Sequence, residues 1–184
     1  MDVLDKLQLS LTRSEADPRQ IVVMTCGLAG AGKSTLTKAI VEKYPNYERL
    51  SIDAIIHAKH GIYEVDYPPE KYAEYMDEAD AEYHAKFLEL LEKGEKDIAF
   101  DRSLYDKADR DYYKKLAEEK GARWILVYFR PANKEVIWNR IQSRRAKDVN
   151  ADSALVISRE LLDQYWDGFD IPDGEGEVVV DITA

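Results

Sequence analysis

The chain has 184 residues, enough for one ordinary domain, and its 45% hydrophobic and 34% charged residues give a globular rather than a disordered balance. Thirty-six acidic against 26 basic residues leave a net charge of −10, which argues against broad electrostatic binding to nucleic acid or to an anionic membrane. No apolar run approaches the ~18 residues of a membrane span, the acidic start lacks a secretory apolar core, and the single cysteine, Cys26, allows no internal disulfide, so a cytoplasmic protein is expected.

Residues 1–19 are polar with a weak apolar repeat (Val3, Leu4, Leu7, Leu9, Leu11) and read as a leader or short helix ahead of a domain at 20–184. Ile21–Met24, bounded by Gly27, reads as a buried strand. Leu36, Ala39 and Ile40 recur at helical spacing until Pro45. Arg49–Ile52 is a short strand ending at Asp53, followed by a Tyr- and Pro-rich loop from Gly61 to Pro69. A long helix carries the stripe Tyr72, Met76, Ala79, Tyr83, Phe87, Leu90 and Leu91 and is capped by Gly94. Asp97–Phe100 is a third strand ending at Asp101. Ala108, Tyr112 and Leu116 mark a helix closed by Gly121. Trp124–Phe129 is a fourth strand, helices follow near 133–147 and 153–168, and Glu177–Asp181 is the last strand. Alternating strands and helices predict an α/β fold with a parallel sheet covered on both faces, whose ligands sit beyond the carboxyl ends of the strands.

At the first such end stands Gly27-Leu28-Ala29-Gly30-Ala31-Gly32-Lys33-Ser34, followed by Thr35. This G-x-x-x-x-G-K-[ST] pattern is a phosphate-binding loop. Glycine lets backbone N–H groups converge on phosphate oxygens, and the helix opening at Gly32–Lys33 aims its positive dipole end at them. Lys33 would reach the β- and γ-phosphates of ATP, and the Ser34 hydroxyl would ligate Mg²⁺.

Two carboxylates stand at the next strand ends. Asp53 could take the proton of an acceptor hydroxyl, and could also cap the helix Ala54–Lys59. Asp101 is placed to hold Mg²⁺, or to cap the turn Ser103–Asp106. Arg102 and Arg110 follow Asp101 and are candidate phosphate contacts or surface ion pairs. Arg140, Arg144, Arg145 and Lys147 form a basic cluster, with Arg140 and Arg144 on one helix face. It reads as a lid, about 140–158, that closes over the nucleotide and neutralises the transferred phosphoryl group. The acceptor pocket is expected from Ile55, Ile56, His57, His60, Tyr63, Tyr67, Tyr105 and the long helix. The run Glu70, Glu74, Asp77, Glu78, Asp80, Glu82 reads as a solvated face which, if it borders the acceptor, favours a cationic one.

Four pieces, GLAGAGKST (27–35), LSIDAI (50–55), FDRSLYDKADRD (100–111) and NRIQSRRAK (139–147) with SRELLDQYWDGFDIP (158–172), resemble the P-loop kinases of small molecules and polynucleotides. That group includes the zeta-toxin kinases, chloramphenicol phosphotransferase, gluconate and shikimate kinases and polynucleotide kinase. The chain is most similar to its small AAA-domain ATP-binding members. The resemblance implies a P-loop NTPase three-layer α/β/α fold, strand order 2-3-1-4-5 and a helical lid. It implies Mg·ATP on Gly27–Ser34, an acceptor-activating Asp53, and lid arginines Arg140 and Arg144. The run Asp101-Arg102-Ser103 is also similar to the acidic-Arg-Ser motif of deoxynucleoside kinases, in which the acidic residue is the base, so Asp53 and Asp101 both stand as candidates. The expected activity is phosphoryl transfer from ATP to a hydroxyl of a small molecule: a sugar, nucleoside or antibiotic-like compound. A polynucleotide 5′-hydroxyl kinase is disfavoured by the lack of a basic groove outside the lid. A nucleotide switch acting through a protein partner would need a γ-phosphate sensor, for which residues 53–69 are the candidate.

Overall fold

Ile21–Cys26 (β1) is apolar at nearly every position because both its faces are covered. Ile21 and Val23 point into one hydrophobic layer and Val22 and Met24 into the other. The structure, a computed structural model, describes residues 3–147, 150–153 and 155–183. Parallel pairing sets β1 in the middle of a five-stranded sheet with Tyr47–Ser51 (β2), Asp97–Asp101 (β3), Arg123–Pro131 (β4) and Glu177–Ile182 (β5), in the order β2-β3-β1-β4-β5. That is the order the resemblance implies. The second strand stops at Ser51, one residue short of the expected end.

Helices cover both faces. Val3–Leu7 (α1), Lys33–Lys43 (α2), Lys134–Lys147 (α6) and Arg159–Gly168 (α7) lie on one side, where Leu4, Leu36, Ile40, Ile137, Ile141 and Leu162 are buried. Ile52–His60 (α3), Tyr72–Lys93 (α4) and Lys107–Glu119 (α5) lie on the other, where Ile55, Ile56, Ala79, Tyr83, Phe87, Tyr113 and Ala117 are buried. The last helix starts at Arg159, capped by the Ser158 hydroxyl, and a single 3-10 turn at Ala151–Ser153 precedes it. The amino-terminal residues pack on the domain: Leu7 and Leu11 are buried, the Tyr47 hydroxyl donates to Leu11 O at 2.9 Å, and Arg13 Nε donates to Asp97 Oδ1 at 2.8 Å. Among the described residues no helix is long and apolar enough to cross a membrane.

One buried charge cluster fixes the turn that follows β3. Arg110 of α5 is fully buried and forks onto Glu175, Nε to Oε2 at 2.9 Å and Nη2 to Oε1 at 2.8 Å. Its Nη1 donates to Leu104 O at 3.0 Å. Lys114, lying over the Trp124 ring, donates to Glu175 Oε2 at 3.0 Å. The expectation of Arg110 as a phosphate contact is therefore corrected. Its position one turn into α5 points it inward, where it satisfies a carboxylate and the carbonyls of the β3–α5 turn.

The hydrogen bonds from Arg110, against the opposing cost of burial and with those from Lys114, hold the Glu175 carboxyl at about 2, below its ordinary 4.5. The stabilisation from this group is thus complete above pH 4.5 and fades as the pH falls towards 2. Glu175→Gln is expected to lower the unfolding free energy by about 3–5 kcal/mol, the cost of stripping one partner from a buried ion pair. Urea titration reads this as a lower midpoint, and the variant's stability should lose the acid-dependent fall attributable to this group.

Candidate active site

A cleft of about 1060 Å³ lies over the carboxyl ends of β1, β2 and β3. Its floor is the loop between β1 and α2. Leu28, Ala29, Gly30, Gly32, Lys33, Ser34 and Thr35 line it. Gly27 and Ala31 are buried behind the surface: Gly27 N donates to Ser103 O at 3.0 Å, and Ala31 N donates to Leu28 O at 3.2 Å. Gly27 must be glycine on two counts, a φ of +146° and a Cβ that would sit 3.2 Å from the Phe129 carbonyl oxygen. The Lys33 ammonium donates to Leu28 O at 2.8 Å and so lies across the loop. Burial pushes its pKa down, and the carboxylates of Asp101 and Asp53 push it back up.

The carboxylates at the strand ends meet at this floor, although neither is a helix or turn cap. Ser51 caps α3, its hydroxyl accepting from Ala54 N at 3.3 Å, and this leaves Asp53 in the first turn with its carboxylate on the cleft. The surrounding protein desolvates the Asp53 carboxyl, and Asp101 and Asp152 add negative charge. Together they raise it to about 6 against the opposing pull of Lys33 and Arg144. Asp101 is buried, and its Oδ2 accepts from Thr37 Oγ1 at 3.0 Å, Arg49 Nε at 3.1 Å and Arg49 Nη2 at 2.5 Å. Arg49 and Asp152, with which it also pairs, carry no sequence motif.

The lid arginines also reach the cleft. Arg140 and Arg144 of α6 line it, and Arg140 Nη1 lies 3.5 Å from Ala31 O. The side chains of Arg145 and Lys147 lie outside the described residues. Arg102 lines the cleft with its charge already matched: it pairs with Asp80 of α4, has Asp109 at 3.8 Å, and lies over the Tyr83 and Tyr113 rings at 5.7 and 5.5 Å.

The acceptor wall departs from expectation. Ile55 and Ile56 are core. His60 stacks on Tyr75 at 3.6 Å and pairs with Glu78, while Tyr63 packs edge-on against Tyr67 and Tyr72. His57, Tyr63 and Tyr67 border only a small cavity of about 20 Å³ beside Asp53. The large cleft is walled by Met76, Asp77 and Asp80 of the expected long helix, α4, by the expected Tyr105, and in addition by Gln164 and Tyr165 from α7. Helical spacing alone gave no sign that α7 would fold over the site.

A parallel sheet of this order, with a glycine-lysine-serine loop between β1 and α2, defines a P-loop NTPase fold. The chain belongs to the AAA domain family, whose pattern matches residues 22–170. No curated protein matches it. Among solved structures it is similar to a "putative kinase" from Chloroflexus aurantiacus J-10-fl, with TM-score 0.65, 18% identity, and 90% of this chain and 85% of that chain covered. It is similar to a chain of the Pnkp1/Rnl/Hen1 RNA repair complex, with TM-score 0.63 and 16% identity, 82% of this chain being covered but only 44% of the other. It is also similar to Chaetomium thermophilum Kti12 in complex with ADP-AlF3, with TM-score 0.57, 15% identity and 88% of each chain covered. At these identities the likenesses establish the fold.

Gly30 is the point where the loop meets the lid helix. Its φ is +81°, and a Cβ there would lie 2.9 Å from Ile141 Cγ1. Gly30→Ala is expected to cost about 1–2 kcal/mol in stability through the left-handed backbone alone. It should also weaken ATP binding by displacing α6, and isothermal titration and thermal melting read the two effects separately.

Proposed function

We propose that the protein is an ATP-dependent kinase that transfers the γ-phosphoryl group to a hydroxyl of a small molecule. The observation that carries this reading is one cleft in which the phosphate-binding loop faces Asp53, a carboxylate whose pKa is raised to about 6. A general base works best when its pKa lies near the working pH. Asp101 is less suited to that role, since its Oδ2 is tied down by Arg49 and Thr37.

In this mechanism the acceptor hydroxyl attacks the γ-phosphorus and gives its proton to Asp53. The bond from the γ-phosphorus to the bridging oxygen breaks, and ADP leaves with that oxygen. Lys33, Arg140 and Arg144 carry positive charge to the same end of the cleft and offset charge on the phosphoryl oxygens. The donor set fits a hard divalent cation: the Ser34 hydroxyl and the second oxygen of Asp101 are oxygen donors on the cleft wall. Mg²⁺ held there would neutralise phosphate charge.

Asp77 and Asp80 line the wall opposite the loop, and Tyr105 and Tyr165 supply aromatic faces. Arg102 offsets Asp80 there, and the remaining charge of Asp77 favours a neutral or cationic hydroxyl compound with a ring to stack. Reliance on ATP fits the cytoplasmic setting expected from the sequence.

The test is incubation with Mg·ATP and sugars, nucleosides, amino sugars and a 5′-hydroxyl oligonucleotide, followed by mass spectrometry. A small compound gaining one phosphate is the expected result. A shift of the oligonucleotide alone would replace the acceptor class with nucleic acid. ATP hydrolysis with no acceptor modified, at a rate set by a protein partner, would overturn the kinase reading.

Asp53→Asn should abolish transfer while leaving ATP affinity within about twofold. In the wild type, Asp53 binds a proton below pH 6 and can no longer accept one, so kcat/KM should fall about tenfold per pH unit below about 6. A flat profile between pH 5 and 7 would remove Asp53 as the base.

A further inference from the structure

Arg49 lies on β2, outside the loop, the lid and the strand-end carboxylates, yet its guanidinium joins two carboxylates from distant parts of the chain. Nε and Nη2 donate to Asp101 Oδ2 at 3.1 and 2.5 Å, and Nη2 also donates to Asp152 Oδ1 at 2.9 Å. Thr37 Oγ1 adds a third donor to Asp101 Oδ2 at 3.0 Å. Three donors on one oxygen stop the carboxylate from rotating and leave Oδ1 for the cleft that Asp101 lines. Asp152 sits in the turn Ala151–Ser153 after α6, lines the same cleft, and also pairs with Lys38 of the P-loop helix. The side chains of Arg49, Asp101 and Asp152 are 14%, 5% and 8% exposed, so water screens these contacts weakly.

We propose that Arg49 is a positioning residue that couples the seating of Asp152, on the turn after α6, to the cation affinity of Asp101. The inference rests on the reading of Ser34 and Asp101 as the holders of a nucleotide-bound divalent cation. Two effects act in the same direction. With Asp152 seated, one guanidinium is shared between two carboxylates, so less of its charge neutralises Asp101. The fork is also held from both sides, which fixes Asp101 Oδ2 and presents Oδ1. With Asp152 lost, Arg49 is drawn wholly onto Asp101 and neutralises more of its charge. A charged group that orients a cation ligand from behind commonly changes the affinity for that cation by 10- to 100-fold.

The test is calorimetric binding of ADP to the full chain, with and without Mg²⁺, for wild type, Asp152→Asn, Arg49→Lys and the double variant. The expected result is that Asp152→Asn leaves Mg²⁺-free ADP affinity within about twofold while cutting the Mg²⁺ enhancement about tenfold. Because Asp152 acts through Arg49, the double variant should lose no more enhancement than Arg49→Lys alone. Lys38→Gln removes the other partner of Asp152 and serves as a second variant should Arg49→Lys fail to fold. It should cut the enhancement less than Asp152→Asn. A merely structural contact would lower the melting temperature of Asp152→Asn and leave its Mg²⁺ enhancement intact, and that result overturns the proposal. Additive losses in the double variant also overturn it. A wild type whose ADP affinity ignores Mg²⁺ overturns the cation reading beneath it as well, which separates the two failures.

Discussion

The pairing of β1 between β3 and β4 is the constraint on which the site depends. Parallel hydrogen bonding aligns Met24 with Phe100 and Cys26 with Tyr128, and the β2–β3 register aligns Ser51 with Asp101. The strands therefore finish at nearly one level, and whatever follows each of them must emerge on the same side. After β1 that is the glycine loop, after β2 it is Asp53, and at the end of β3 it is Asp101. A slip of one residue between β2 and β3 would exchange the faces of every side chain on the slipped strand and move Asp53 off the floor of the cleft. The apolar layers on both sides of the sheet make such a slip costly, since it would also turn Leu50 or Phe100 out of the core.

Around this floor the charges are arranged in two separate ways. The Arg110–Glu175–Lys114 cluster stands behind the cleft lining and balances a carboxylate with two cations, which anchors the turn holding Ser103 and Tyr105. At the cleft the balance is poorer. Asp53, Asp101 and Asp152 act on one another, and Arg49 and Lys38 directly match the last two only. Burial raises the Asp53 carboxyl, the charges of Asp101 and Asp152 add to that rise, and the Asp152 carboxyl falls. Burial pushes the Asp152 carboxyl up, but its bonds to Lys38 and Arg49 outweigh that push.

Features set by neighbours in the chain were readable from the sequence. The apolar strand runs, the glycine loop opening a helix and the carboxylates at strand ends all reflect local chemistry, and each stands where its pattern put it. Features set by where a long side chain ends up were not readable. Arg102, Arg110 and Arg49 are three arginines near the same strand ends. The sequence offered the first two as phosphate contacts or ion pairs and gave no role to the third. Packing placed each: Arg110 is buried in an ion pair, Arg102 lines the cleft while paired with Asp80, and Arg49 reaches the carboxylate next to the loop. The aromatic residues after β2 likewise form their own cluster, with Tyr63 edge-on to Tyr67 and Tyr72, and Tyr67 edge-on to Tyr75. The cap on α3 fell to Ser51 rather than Asp53 because a hydroxyl in an extended residue reaches the third N–H of the helix, and this freed the carboxylate for the cleft.

A chain at −10 with a phosphate-binding cleft is not a contradiction. At physiological ionic strength the Debye length is about 8 Å, so most of the acidic surface is screened from the loop. Within the cleft the field comes from the groups that line it, and both signs meet there. Lys33, Arg140 and Arg144 come from the loop and α6, Asp53, Asp77 and Asp80 come from α3 and α4, and Asp101, Arg102 and Asp152 also line it. The low dielectric of a walled cleft strengthens their interactions relative to the outer surface. Net charge acts on a different property, the long-range field of the molecule, while the local groups act on what enters the cleft.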